Sequence, residues 1–217
     1  MSKLVVIIPY RDRFGHLSAL LPELKYCLSD INHEIIIVEQ DDNELFNRGA
    51  LKNIGALYAT DADYFCFHDV DMVPDRIESD YSFGHGAIHL AARVTQFDYK
   101  VPYENYFGGV LLITKDDFML VNGYSNNFKG WGAEDDDLFN RCKKNSINIS
   151  RRDCKFISFD HHRDTTHHGK NLDYCLYCKN IPIMYGRDGL SNISYKTLNA
   201  FNAGLNGINF TLIQTTF

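Results

Sequence analysis

Two carboxylates, Asp69 and Asp71, stand two positions apart where the apolar run Tyr64-Phe-Cys-Phe-His68 ends. Side chains at i and i+2 of a strand share a face, so both acids can point into one site. A hard divalent cation prefers such oxygen ligands and bridges them to substrate phosphates. The bland alternative, two solvated acids in a turn, fits poorly with the buried run just upstream. Further along, Glu134-Asp135-Asp136-Asp137 forms a second acid cluster beside Trp131, the one tryptophan of the chain. Crowded like charges raise the pKa of some members and keep a carboxylate in the range useful for a general base. A helix N-terminal acid cap would use the same residues, but Trp131 between Gly130 and Gly132 suits a sugar ring, and Tyr103 and Tyr106 strengthen that reading.

Histidine extends the metal chemistry. In Asp160-His161-His162-Arg163-Asp164, an imidazole could close a cation site that Asp71 opens, a donor set that suits manganese-like metals. Neighbouring side chains diverge, so one of the pair is expected to ligate. Arg11 and Arg13, beside Tyr10 in Pro9-Tyr-Arg-Asp-Arg13, offer guanidinium forks for phosphate or base carbonyls and a ring for stacking. Phe46-Asn47-Arg48-Gly49 adds another arginine at a helix start. Each arginine alone reads equally as a solvated surface charge.

The elements that must position these groups follow a β-α-β pattern. Leu4–Ile8 is a continuous β-branched run, the mark of a strand buried on both faces. A helix is expected over residues 16–28 from Leu17, Leu20, Leu21, Leu24 and Leu28, then a strand over 34–38, a helix over 46–58 and a strand over 63–68. This places Asp69 and Asp71 at a strand's C-terminal end, where open α/β sheets bind ligands. Strands are expected over 87–94 and 110–114, a short helix over 115–121 closed by Asn122-Gly123, and a helix over 135–144 whose first turn carries the acids. Residues 159–192 show no clear period and read as a long functional loop. The fold class is α/β in one domain, 1–217.

Composition bounds the rest. The hydrophobic share of 45% and the charged share of 23% are those of an ordinary globule. A net charge of -6 argues against nonspecific nucleic-acid binding. No segment is apolar enough for a membrane span. Six scattered cysteines suggest reduced thiols, and Cys175-Leu-Tyr-Cys178 reads first as two packing thiols. The alternative is a zinc-binding interaction domain on Cys175, Cys178, His167 and His168.

The strings PYRDR, FNRG, HDVDM, PYENYFGG and GWGAEDDDLFNR, in this order and at these separations, resemble the catalytic domain of the β-1,4-galactosyltransferases, glycosyltransferase family 7. DGLSNISYKTL extends the similarity, which spans about residues 5–198. His68 and Asp80-Tyr-Ser-Phe83 lean toward the branch that adds galactose to xylose. The resemblance implies a GT-A type fold, with a mostly parallel central sheet flanked by helices and with long mobile loops around Trp131 and after His161. It further implies an inverting transferase that uses UDP-galactose and Mn2+ or another divalent cation. Residues 1–110 would form the nucleotide-sugar half and 111–217 the acceptor and metal half.

Carried onto this chain, the resemblance makes Asp135 the catalytic base. Pro9, Tyr10, Arg11, Arg13, Phe46, Arg48, Asp69, Val70, Asp71, Tyr106 and Trp131 would bind the donor. Tyr103, Trp131, Gly132, Glu134, Asp135 and Asp136 would seat an acceptor ending in xylose, glucose or N-acetylglucosamine. Asp71, His161 and His162 would hold the metal; the family's third ligand position falls on Ser158 or Arg163. Tyr106 matches the position where the family uses tyrosine for galactose donors and a smaller residue for N-acetylgalactosamine. Secreted members carry an anchor and disulfides, and Cys66 matches a bridged cysteine. With no anchor in these residues, the expectation is a cytoplasmic bacterial or viral enzyme, or one cut from its anchor. Transfer from another UDP-sugar, and an inactive sugar-binding module, are the alternatives.

Overall fold

The computed structural model describes residues 2–217. The chain begins with β1 (Leu4–Tyr10), α1 (Phe14–Cys27), β2 (His33–Gln40), α2 (Arg48–Tyr58) and β3 (Tyr64–His68). β1 is flanked by two parallel neighbours, with Val6 opposite Ile35 of β2 and Cys66 of β3. A strand covered on both faces has no polar side, hence a continuous run rather than an alternation. Its side chains feed two cores. Leu4, Val6 and Ile8 pack with Leu17, Leu20, Leu21 and Leu24 of α1, while Val5 and Ile7 pack with Leu51 and Ile54 of α2. Gly55 lets α2 approach β1 closely, since a Cβ there would lie 2.5 Å from Ile7 Cγ2.

There follow β4 (Met72–Pro74), β5 (Ala87–His89), β6 (Arg93–Val94), β7 (Val110–Thr114), α3 (Lys115–Leu120), α4 (Glu134–Lys144), β8 (Ile149–Arg151), β9 (Lys155–Ser158), α5 (His168–Asn180), β10 (Lys196–Leu205) and β11 (Ile208–Thr216). The main sheet has eight strands in the order β10-β11-β2-β1-β3-β7-β5-β8, and β4-β9-β6 form a small second sheet. In the main sheet β11-β2, β2-β1, β1-β3 and β5-β8 are parallel, and the other pairs are antiparallel. No helix among the described residues is long and apolar enough to cross a membrane.

Three sequence expectations need correction. The single strand over 87–94 is two short ones, because β5 pairs with β7 in the main sheet whereas β6 pairs with β9 in the small one. The long loop over 159–192 contains α5. Its inward positions are Asn171, Cys175 and Cys178, so the helical period is carried by an amide and two thiols instead of aliphatic residues. All six cysteines are free, and no three metal-binding side chains gather among the described residues, which leaves the zinc reading without a site. The C-terminal hairpin, absent from the expectations, adds β11 parallel to β2. Its turn also repairs a helix defect: Pro22 inside α1 leaves the Ser18 carbonyl without its helical donor, and Asn206 Nδ2 donates to that oxygen at 3.3 Å.

Candidate active site

The C-terminal ends of β1 and β3 and the N-terminal turns of α2 and α4 meet at one edge of the sheet. Two adjoining cavities open there, of about 310 and 440 Å³, in the size range of small-molecule sites. Pro9, Arg11, Arg13, Phe46, Val70 and His162 line the first. Tyr103, Tyr106, Gly132, Glu134, Asp135 and Asp136 line the second. Arg48, Asp69, Asp71, Trp131, His161 and Arg163 line both and form the shared wall. Each cavity draws residues from both 1–110 and 111–217, so neither stretch makes a cavity alone.

Tyr10 lines neither cavity. Alternation along β1 turns it, with Leu4, Val6 and Ile8, toward the α1 core, whereas Pro9 faces the cavity. The Tyr10 ring is partly buried against the α1 core. Arg11 does face the first cavity, where its guanidinium lies 5.3 Å over the Phe46 ring and its Nη1 donates to Glu44 O at 2.7 Å.

The two β3-end aspartates share the site but divide their partners, because they sit in the turn between β3 and β4 rather than on a strand. Asp69 faces α2: Lys52 Nζ lies 3.2 Å from its Oδ1 and Arg48 Nε 3.8 Å from its Oδ2. Burial raises its pKa, but Lys52 and Arg48 outweigh that effect and hold it below the usual value. Asp71 faces the segment after β9. Pairing of β4 with β9, continued by Phe159 N–H donating to Asp71 O at 2.9 Å, carries His161 to it, and His161 Nε2 lies 3.2 Å from Asp71 Oδ2.

That pair fits a divalent cation. Two donors at right angles on a cation with bonds of about 2.1 Å lie about 3 Å apart. His161 Nδ1 sits 2.7 Å from His162 O, so the tautomer with its proton on Nδ1 leaves Nε2 free as a ligand. His162 itself is exposed and meets this pair only through its carbonyl, so the structure places one imidazole, not two, at Asp71. His16, which the sequence reading passed over, stands nearby with its ring 6.1 Å from that of His161 and its Nδ1 buried without a partner.

The acid cluster splits as well. Glu134 forms an ion pair with Arg48 in the second cavity. Asp137 turns away to Arg141, whose Nε donates to it at 2.6 Å inside the fold and whose Nη1 donates to Asp188 O at 2.7 Å. Asp136 accepts from Tyr103 Oη at 3.1 Å. Asp135 remains, half-buried, with one backbone N–H, that of Asp136, donating to its Oδ1 at 3.0 Å. Burial, then the charges of Glu134 and Asp136, push its pKa up to about 7. A carboxylate poised there is a competent general base at neutral pH. Gly108 makes room for it, since a Cβ at that position would collide with Asp135 Oδ2.

Trp131 roofs the shared wall. Its ring lies 4.7 Å from that of His168, and the Arg163 guanidinium stands 5.9 Å over it while donating to Gln96 Oε1 at 2.6 Å. Gly132 has φ +99, and a Cβ there would sit 2.6 Å from His168 Nδ1, so only glycine permits this approach. Ala133 adopts φ 74 without that freedom, a strained entry to α4 held by Asp137 N–H donating to its carbonyl at 3.0 Å. Gln96, Phe97 and Lys52 also line the second cavity and went unnoticed in the sequence, and His168, read there only as a zinc candidate, lines it too. Lys52 alone left a signal, a charge one turn after Arg48 within an otherwise inward-facing helix.

The mixed sheet with its flanking helices is a GT-A type glycosyltransferase fold, as its likeness to solved glycosyltransferases shows. The chain belongs to the group 7 glycosyltransferase family: residues 1–83 match the N-terminal region of glycosyl transferase group 7, and residues 88–168 match the N-terminal domain of galactosyltransferase. It is similar to β-1,4-galactosyltransferase 4 of Cricetulus griseus, with 36% identity over 91% of this chain and 60% of that protein. It is equally similar to human β-1,4-galactosyltransferase 2, with 36% identity over 89% of this chain and 54% of that protein. The catalytic domain of Drosophila β-1,4-galactosyltransferase 7 in complex with xylobiose superposes with a TM-score of 0.83 at 28% identity, covering 100% of this chain and 94% of that one. A mutant of the same enzyme, in complex with manganese, UDP-Gal and xylobiose, superposes with a TM-score of 0.79 at 28% identity.

The chain spans little more than half the length of the curated relatives it matches. These relatives are animal enzymes with further sequence outside the matched region, so a missing anchor within these residues carries no information on location. The expectation of a cytoplasmic bacterial or viral enzyme is corrected accordingly.

Proposed function

We propose that this protein transfers galactose from UDP-galactose to a hydroxyl of an acceptor sugar, with inversion and formation of a β-1,4-type linkage. The observation that carries the reading is that the Asp71–His161 pair and Asp135 line one cavity. The relatives named above are β-1,4-galactosyltransferases, and one neighbour binds manganese, UDP-Gal and xylobiose, which supports manganese as the cation and xylose as one acceptor end.

Arg11, Arg13 and Phe46 hold the nucleotide in the first cavity, with Pro9 and Val70 as its apolar floor. Asp69, held by Lys52 and Arg48, faces the sugar at the shared wall, with Glu134, paired to Arg48, beside it in the second cavity. Asp71 and His161 hold the cation, which when bound supplies Lewis-acid stabilisation to the departing diphosphate. Trp131, Tyr103, Gly132 and Asp136 orient the acceptor in the second cavity. Asp135 takes the proton of the attacking hydroxyl, whose oxygen then reaches the anomeric carbon from the face opposite UDP. Tyr106, buried against this wall, restricts the room at the second carbon of the donor sugar and so favours galactose over N-acetylgalactosamine. The loop of Trp131 and the segment after His161 are tied by Trp131 N–H donating to Asp164 O at 2.9 Å, and their joint closure excludes water.

The test is an acceptor array with xylose, glucose and N-acetylglucosamine ends, run with each UDP-sugar in turn and Mn2+. Transfer is expected from UDP-galactose only, and transfer from another donor, or from none, would refute the assignment. Because Asp135 works ionised and its pKa is raised to about 7, kcat is expected to climb with pH through about 7 and then level off. A profile already flat from pH 5 upward would assign the proton transfer to a different group.

A further inference from the structure

The buried charge that the proposed chemistry leaves unused is Lys52. It sits on α2 one turn after Arg48, is 4% exposed, and lines the second cavity. Its ammonium lies 3.2 Å from Asp69 Oδ1 and 5.0 Å from the centre of the Tyr124 ring. Burying an ammonium is expensive, and a leucine or methionine would fill this place in the helix–sheet packing without that cost. What the charge answers is a concentration of acids. Asp69, Asp71, Glu134, Asp135 and Asp136 all line the same cavity. Arg48, the other cation of α2, has its Nη1 committed to Glu134 and reaches Asp69 only through Nε at 3.8 Å. Without Lys52, Asp69 keeps that single distant partner.

We propose that Lys52 is a positioning residue for the transfer: its buried ammonium fixes the Asp69 carboxylate against the donor sugar and supplies the positive charge that keeps Asp135 able to accept the proton of the acceptor. The inference rests on the function proposed above and adds a determinant of its rate. Several groups face Asp135: Glu134 and Asp136 from α4, Lys52 and Arg48 from α2, Tyr103 and Tyr106 from the segment before β7, and Tyr124 from the segment after α3. Of these, the acids raise its pKa while Lys52, ahead of Arg48, lowers it. Removing the ammonium therefore leaves Asp135 protonated to a higher pH.

The experiment compares Lys52→Met and Lys52→Arg with the wild type across pH 5.5–9.5, measuring kcat with UDP-galactose and Mn2+. For Lys52→Met, the rising limb of the kcat profile is expected to move up by about one pH unit, so that kcat at pH 6 falls about tenfold and recovers to within about threefold at pH 9. Lys52→Arg, which keeps the charge, is expected to bring the limb back toward its wild-type position. A rising limb that stays at its wild-type position in Lys52→Met would overturn the proposal. A second readout needs no turnover: in protein labelled with ¹³C at aspartate carboxyls, with the Asp135 signal assigned from its loss in Asp135→Asn, that signal must titrate at higher pH in Lys52→Met. Coincident titrations would overturn the proposal as well. If the wild type transfers no sugar, the functional reading fails, while the carboxyl titration still judges Lys52.

Discussion

Asp135→Asn is expected to lower kcat for galactose transfer by about a thousandfold or more, within the range that general acid–base groups contribute, while binding of UDP and of the cation persists. The carboxylate stands alone in its function: Asp136 is engaged by Tyr103, Glu134 by Arg48 and Asp137 by Arg141. Each of these neighbours already holds a partner of its own. Steady-state kinetics beside a calorimetric titration of UDP with Mn2+ check both halves, and unchanged transfer would remove Asp135 from its role. The same substitution carries a stability signature. A carboxyl whose folded-state pKa is raised from 3.8 to about 7 binds its proton more tightly in the folded chain, so stability falls as pH climbs through that window. Asparagine never ionises. The variant is thus expected to melt above the wild type at pH 8, with the difference fading toward about pH 4.

Asp71→Asn is the second large effect. It removes the carboxylate that stands 3.2 Å from His161 Nε2, leaving the imidazole alone at the cation position. Mn2+ affinity is expected to fall by at least about a hundredfold, more than the loss typical of a residue that merely supports a ligand, and transfer falls with it. Electron paramagnetic resonance titration of free Mn2+ reads the affinity directly. Asp69→Asn supplies the contrast. Asp69 is held by Lys52 and Arg48 rather than by His161, so its loss is expected to damage transfer while leaving Mn2+ affinity within about threefold, because no metal donor is removed. Equal losses of cation affinity in the two variants would contradict the division of labour between the aspartates.

What the sequence displayed of this protein follows from how each feature is encoded. β1 was legible because a strand buried on both faces must be apolar throughout, and α1 because its leucines recur at helical spacing. The aspartates stood out as acids at the end of such a strand. By contrast, α5 was hidden because its inward face is Asn171, Cys175 and Cys178. The hairpin of β10 and β11 was hidden because β10 is exposed along most of its length and so lacks a buried alternation. Proximity in sequence to Arg11 says nothing of which strand face Tyr10 takes. The splitting of Asp69 from Asp71, and of Asp137 from Asp135, depends on long-range partners brought in by α2, β9 and Arg141. Local spacing could not reveal those partners. The charge of Lys52 on an inward-facing helix is visible in the sequence, but its partner Asp69 is not.

The central claim is that Asp71 holds the cation on a wall of the cavity where Asp135 waits for the acceptor. A crystal structure of Asp135→Asn soaked with Mn2+ and UDP-galactose, with manganese located by its anomalous scattering, tests this most directly. The account predicts a manganese peak bonded to Asp71 Oδ2 and His161 Nε2, with the anomeric carbon of galactose turned toward residue 135. A manganese peak elsewhere, or a sugar whose anomeric carbon faces away from residue 135, would contradict it.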